Sequence, residues 1–351
     1  MDSRLRIALL APLMVSVPPQ AYAGTERVIA TLASCLHERG HNVTLFASGD
    51  SQVDCELVPV IPRAAWKDGF VGDPSPLMEL VMATAWRQHR RFDLIHSHLE
   101  TDAFLFARHC PTPVVSTLHG RLDEPGIPLL LREFRDIPLV AISDSQGRWA
   151  PDANWMATIH HGLPLAEMVH STSAGDYLVV VGRATPEKGI AEAIEFARRT
   201  KLPLKVAAKV NNPAEQAFFD EVIAPAIEEG TVEFLGEIGE SERDPLLAGA
   251  RATLMLGAWP EPFGLVAIES MATGTPVIAR RAGALPEIVD HLRTGFLIDD
   301  LREADLALDL AARVDRAEVR RRTIERFSPE RMTDEYEKVY RRVLEGAARG
   351  R

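Results

Sequence analysis

The chain has 351 residues, of which 46% are hydrophobic and 25% charged, enough for roughly two globular domains. Fifty Asp and Glu against 39 Lys and Arg leave a formal charge of −11, which argues against a general nucleic-acid binder while leaving room for a local basic pocket. Cys35, Cys55 and Cys110 have neither metal-ligand nor disulfide spacing, and no apolar run reaches the roughly 18 residues of a transmembrane helix, so a reducing, cytoplasmic location is expected.

Arg4, Arg6, the apolar stretch Ile7 to Val15 and Ala21-Tyr22-Ala23 imitate a secretory leader. Pro12 interrupts that stretch and a helical pattern begins at Glu26, so residues 6–11 read instead as a first buried strand followed by a ligand-facing loop. From Glu26 to Arg39, Val28, Ile29, Leu32, Ala33 and Leu36 recur at helical spacing. Short aliphatic runs at 42–47, 92–97, 113–118 and 138–143 predict further buried strands. The alternation predicts a mainly parallel sheet covered by helices.

A second series runs through 177–182, 203–208, 232–236, 252–257 and 275–280, with helical patterns near 187–200, 213–229 and 263–273. The Ser-, Thr- and Gly-containing stretch 170–176 marks the boundary. The expected organisation is therefore 1–172, 173–327 and a terminal helix with its tail at 328–351. Ser328 reads as a helix cap and Pro329 as the first helical residue, with Met332, Tyr336, Val339, Tyr340 and Val343 forming an apolar stripe. The last six residues are expected to fray. Open α/β sheets take ligands beyond the carboxyl ends of their strands, so a cleft between the two halves is the expected site.

Three segments carry the chemistry. The richest is Trp259-Pro-Glu261-Pro-Phe263-Gly264-Leu265, which leads into a helix containing Glu269. Backbone N–H groups at such a helix start can receive an anionic or hydroxyl-rich ligand, and the two carboxylates could hold different hydroxyls. The bland alternative is a surface loop before a capped helix. The second, Gly182-Arg183 to Lys188-Gly189, follows an apolar strand and brings two cations into one loop, suited to a diphosphate leaving group. It lacks the Walker A glycine spacing. The third, Tyr22 to Glu26 with Gly24 and Thr25, could present amides to a phosphate or an acceptor, although an ordinary turn also fits; it lacks the dinucleotide fingerprint.

His96, His98 and His119 stand at predicted strand ends, where imidazole can donate a hydrogen bond or exchange a proton. His160 and His161 precede Gly162 and read either as cleft lining or as a turn. Zinc-type spacing is absent, as is any Asp-x-Asp, so no metal is expected and Arg183, Lys188 and helix amides would neutralise phosphate instead.

Taken together, these segments resemble the retaining glycosyltransferases of family 4, with the two-domain GT-B architecture: two Rossmann-like domains facing a cleft, and a C-terminal helix crossing back to the first. The resemblance spans nearly the whole chain and includes Gly283-Ala-Leu-Pro-Glu287 and Gly295-Phe-Leu. It implies that Arg183 and Lys188 hold the donor diphosphate and Glu269 the ribose hydroxyls. Glu261 and the Phe263-Gly264-Leu265 backbone would lie by the transferred sugar, and His119 by the reaction centre. Gly24 and Thr25 would lie between donor phosphate and acceptor. Ser143 and Ser145 would face the acceptor or phosphate. Two departures stand out: the usual glycine pair is reduced to Gly24 with Ala23 or Thr25, and His161 replaces an Asn before Gly162.

The implied reaction moves a hexosyl group, UDP-glucose being the first donor expected, from a nucleoside diphosphate sugar to an acceptor hydroxyl with retention and without metal or other cofactor. Front-face transfer, with leaving-group phosphate receiving the acceptor proton, is the expected route. GDP-mannose, ADP-glucose and UDP-N-acetylhexosamine are other donors, and the acceptor is a small molecule, a glycan or a lipid-linked sugar. A homodimer or peripheral membrane contact through a small patch is left open. The competing readings are a nucleotide-sugar epimerase, a phosphorylase of the same fold, or a noncatalytic nucleotide-sugar-binding protein.

Overall fold

A computed structural model describes residues 4–20 and 23–349, so part of the Tyr22–Glu26 segment and the last two residues lie outside the described chain. The described residues form two compact units. Unit 1 runs to Leu163 and resumes at Ser328; unit 2 is Pro164–Phe327.

In unit 1, strands β1 (Arg6–Leu10), β2 (Asn42–Ser48), β3 (Glu56–Ile61), β4 (Leu94–Ser97), β5 (Val114–Thr117), β6 (Leu139–Ala141) and β7 (Trp155–Thr158) form one sheet. Its order is β3-β2-β1-β4-β5-β6-β7, parallel throughout the described pairs. Ile7 to Leu10 are fully buried, as an aliphatic strand covered on both faces must be. The expected first strand is therefore present where a leader could have been read.

Unit 2 repeats the plan with β8 (Leu178–Arg183), β9 (Leu204–Lys209), β10 (Val232–Phe234), β11 (Ala252–Met255), β12 (Val277–Arg280) and β13 (Gly295–Ile298). The order is β10-β9-β8-β11-β12-β13, again parallel. This is the doubly wound arrangement, in which crossing helices cover both faces. The helical stretch expected near 213–229 is two α-helical pieces, Pro213–Phe218 and Ala224–Glu228, joined by a π-helical turn over Phe219–Ile223.

The C-terminal helix, Pro329–Arg349, belongs to unit 1. Ser328 Oγ accepts the Arg331 amide at 3.2 Å, as expected of a cap. Met332, Tyr336, Val339, Tyr340 and Val343 are buried on one stripe. Its outer edge pairs with unit 1, Arg39 with Asp334 at 2.7 Å and His41 with Glu337 at 3.1 Å. The helix continues through Arg349, so the fraying expected from Gly346 does not begin there.

Candidate active site

The residues singled out from the sequence fall into two groups, one in each unit, and each group stands at the carboxyl ends of its own strands.

In unit 2, Arg183 ends β8 with more than half of its side chain exposed. Its guanidinium lies 3.6 Å from the Glu187 carboxylate and 3.6 Å from that of Glu215. Five residues on, Lys188 closes a short 3-10 turn, and its ammonium donates to Glu261 Oε1. Gly189 makes that approach feasible. Its φ is +72°, and a Cβ there would sit 2.1 Å from the Gly257 amide nitrogen, in the segment leaving β11. On its other side, the Glu261 loop is gripped by Gly283, where a Cβ would come within 2.4 Å of the Glu261 backbone, and by the Ala284 amide, which donates to the Glu261 carbonyl at 2.8 Å. The Gly283-Ala-Leu-Pro-Glu287 motif is thus a brace for the loop that carries Glu261.

The same loop runs through buried Phe263, whose ring meets Phe327 edge-on at 6.1 Å, and through left-handed Gly264 into the helix Leu265–Ala272. Amides in a first helical turn lack intrahelical acceptors, so this start can receive oxygen ligands. Ser270 pins the helix, its hydroxyl donating to the Thr275 carbonyl at 3.0 Å and sharing a hydrogen bond with Thr253 Oγ1 on β11 at 2.7 Å. Glu269 is wholly buried, with Oε1 3.2 Å from Arg243 Nη1. Arg243, on the helix Glu240–Ala248, is itself buried and also bonds Asp244 at 2.8 Å. Arg183, Lys188, Glu261, Phe263, Gly264, Leu265 and Glu269 therefore occupy a continuous set of braced segments. Arg243 was not foreseen; no spacing in its Ser-Glu-Arg-Asp run marks it.

In unit 1, Gly24 and Thr25 open the helix Gly24–Glu38, behind an extended Ala23 that gives no side-chain cap. Glu26 in the first turn is buried, and desolvation pushes its carboxyl up to about 7. His119 follows β5 and joins a chain of buried polar groups. His98 Nδ1 lies 2.9 Å from His119 Nε2, and the His119 ring stacks on His161 with centroids 5.3 Å apart. His96 links the Tyr340 hydroxyl at 2.9 Å to Thr117 Oγ1 at 2.7 Å, and Thr117 Oγ1 meets Tyr336 Oη at 3.1 Å. Burial drives His96 and His119 down to about 3 and His98 and His161 well below their ordinary value, so these rings are neutral.

Glu100 adds a second hold on His119. Its carboxylate accepts the His119 amide at 2.8 Å, from a residue in the left-handed region at φ +49°. Burial raises its carboxyl to about 7, against the opposing pull of the His119 and Gly120 amides. Ser143 caps its own short helix, its hydroxyl oxygen accepting the Gln146 amide at 3.0 Å. Among the described residues, no group of three or more His, Cys, Asp or Glu is placed to hold a metal ion, and no helix is long and apolar enough to cross a membrane.

Comparison with known proteins bears on both units. The family described as glycosyl transferases group 1 matches residues 171–327, and glycosyltransferase family 4 matches residues 22–149. A D-inositol 3-phosphate glycosyltransferase of Jonesia denitrificans is 27% identical over 264 residues, and the chain spans 62% of that relative's length. Its counterpart in Mycobacterium sp. strain KMS is 26% identical over 375 residues, covering 90% of this chain and 85% of its own. Among solved structures, AviGT4, a glycosyltransferase involved in avilamycin A biosynthesis, superposes with a TM-score of 0.74 at 27% identity, over 97% of this chain and 98% of its own. The two matches fall one in each doubly wound unit, and the chain is a GT-B-fold glycosyltransferase related to group 1 and family 4.

Proposed function

We propose that the protein transfers a hexosyl group from a nucleoside diphosphate sugar to an acceptor hydroxyl, with retention and without a metal. The observation that carries this reading is the braced set in unit 2, where two cations, a half-buried carboxylate, a helix start and a buried carboxylate follow one another. Arg183 and Lys188 hold the diphosphate, Glu269 the ribose hydroxyls, and Glu261 with the 263–265 backbone the sugar. The Lys188–Glu261 pair opens as donor binds, freeing the ammonium for phosphate and the carboxylate for sugar hydroxyls. His119, with Gly24 and Thr25, serves the reaction centre and acceptor from unit 1.

In the reaction, the bond from the anomeric carbon to the diphosphate oxygen breaks while the acceptor oxygen bonds that carbon on the same face. The acceptor proton passes to the departing phosphate oxygen, and the nucleoside diphosphate leaves. Negative charge grows on the diphosphate as this happens, so Arg183 and Lys188 bind the transition state more strongly than the ground state. Their fixed charges supply what clustered carboxylates and a divalent ion supply elsewhere.

Glu269 reads a ribose, which every nucleotide donor carries, so the base is chosen by experiment with UDP-glucose first. D-inositol 3-phosphate, which appears in the names of the relatives from Jonesia and Mycobacterium, is the first acceptor to try, ahead of glycans and lipid-linked sugars. The test is a panel of UDP-, GDP-, ADP- and dTDP-sugars, with and without chelator, following released nucleotide and product mass. Chelator-insensitive transfer from one donor supports the reading; loss of turnover with chelator, restored by a divalent ion, overturns the metal-free part. No turnover and no binding across the panel overturns the whole.

A further inference from the structure

His119 is held twice by one short segment, and neither hold is explained by packing alone. From the end of β4, His98 turns its ring to His119, Nδ1 to Nε2 at 2.9 Å. Two residues further on, Glu100 sends its carboxylate to the His119 main-chain amide at 2.8 Å. Gly120 lies against the same carboxylate, its position for a Cβ being 3.6 Å from Glu100 Oε2. The backbone of Glu100 takes a left-handed φ of +49° to do this, which costs a non-glycine residue free energy. A buried carboxylate on a strained backbone, aimed at two successive amides, fixes where the loop after β5 runs.

The ring pair fixes more than position. Both imidazoles are neutral, so the bond between them contains one proton, owned by one of two nitrogens. If His98 Nδ1 carries it, His119 accepts through Nε2 and bears its own proton on Nδ1. If His119 Nε2 carries it, His119 Nδ1 is a bare acceptor and His98 Nε2 is protonated. The two outer nitrogens, His98 Nε2 and His119 Nδ1, are buried and have no hydrogen-bond partner among the described residues. They consequently always have opposite character, and what His119 offers a substrate is decided by His98.

We propose that His98 and Glu100 are positioning residues for His119, Glu100 setting the place of its backbone and His98 the tautomer and direction of its ring, so that Nδ1 is the atom His119 presents to the reacting sugar. This rests on the reading of His119 as a reaction-centre residue. The Asn side chain can reach about as far as Nδ1 and keep the bond to His119, whereas Leu fills the space without a polar atom; H98N and H98L therefore separate the hydrogen bond from packing.

The test uses the full chain labelled with ¹⁵N-histidine, with the His119 nitrogens assigned by their loss in H119Q. In the wild type the His119 signals should report one tautomer. H98L should shift them toward a mixture and H98N should hold them near the wild-type values. With the donor found in the panel, H98L is expected to lower kcat about 10- to 100-fold with donor KM within about threefold, H98N to restore most of it, and E100Q to fall between wild type and E100L. Unchanged His119 signals in a folded H98L, or kcat within about twofold of wild type, overturns the proposal. Equal losses in H98N and H98L with unchanged signals would also overturn it, by showing packing alone. If the wild type turns over no donor, the reading of the reaction has failed; the nitrogen signals still decide the pairing.

Discussion

The guanidinium of Arg243 lies 3.2 Å from the carboxylate of Glu269, and both side chains are sealed from solvent. A buried pair of this kind gains little over a well-packed apolar pair, but removing one member strands the other's charge. Arg243→Met is expected to destabilise unit 2 by ~3–5 kcal/mol, with Arg243→Lys costing less. Denaturant unfolding of the two variants checks it. A midpoint unchanged in R243M would mean that the Arg243–Glu269 pair does not hold unit 2 together.

Lys188 and Glu261 make the looser pair, half-buried at a loop rather than sealed in a core. Charge-assisted bonds to phosphate contribute more than neutral ones. Lys188→Met is expected to weaken nucleoside diphosphate binding about 10- to 100-fold, corresponding to ~1.5–3 kcal/mol, and to flatten its salt dependence. Titration calorimetry at two salt concentrations measures both. An affinity unchanged by the substitution would remove Lys188 from the donor site.

The buried Glu100 carboxyl, raised to about 7 chiefly by desolvation and further by Asp102, gives stability a pH dependence of known sign. Between the unfolded value near 4.5 and about 7, the folded chain keeps a proton that the unfolded chain has released. Stability therefore falls as pH rises through that window, by up to ~3 kcal/mol from this group. Glu100→Gln cannot titrate. The difference in unfolding free energy between wild type and E100Q should accordingly shift against the wild type from pH 4.5 to 7 and level off above; a pH-independent difference would place the carboxyl at its ordinary value.

Tyr340 closes the polar chain through its bond to His96. Tyr340→Phe removes the hydroxyl and leaves His96 Nδ1 buried without that partner, at a cost of ~1–3 kcal/mol. Thermal unfolding reads the loss. Tyr336→Phe, which removes the contact with Thr117 instead, should cost a similar or smaller amount, because Thr117 keeps its bond to His96.

The interior strands were legible because an aliphatic run flanked by turns has few other uses: the predicted runs at 6–11, 42–47, 177–182 and 252–257 overlie β1, β2, β8 and β11. The strands passed over, β3, β7 and β13, are all at sheet edges. There one neighbour is enough, and sequence constraint relaxes. β3 carries Pro59, which an edge tolerates and an interior does not, and β7 is only partly buried. In the site, the spacing of Arg183, Lys188, Glu261 and Glu269 marked the segments that the fold braces together. Arg243 and Glu100 were invisible because their partners lie 26 and 19 residues away, across a fold that spacing does not encode. His98 was noticed as a strand-end histidine, but its bond to His119 depends on the adjacency of β4 and β5.

Unit 1 is discontinuous in sequence: its sheet is made by residues before 164, yet Tyr336 and Tyr340, among its largest fully buried side chains, come after Phe327. On the ribosome, the sheet is synthesised long before the helix that covers it, with 164 residues of unit 2 emerging between them. His96 and Thr117 must wait, wet, for hydroxyls that are translated only after unit 2. A nascent chain halted at Phe327 would carry a finished unit 2 and an uncovered unit 1, and chaperone retention or proteolysis of such a chain should concentrate on the earlier half.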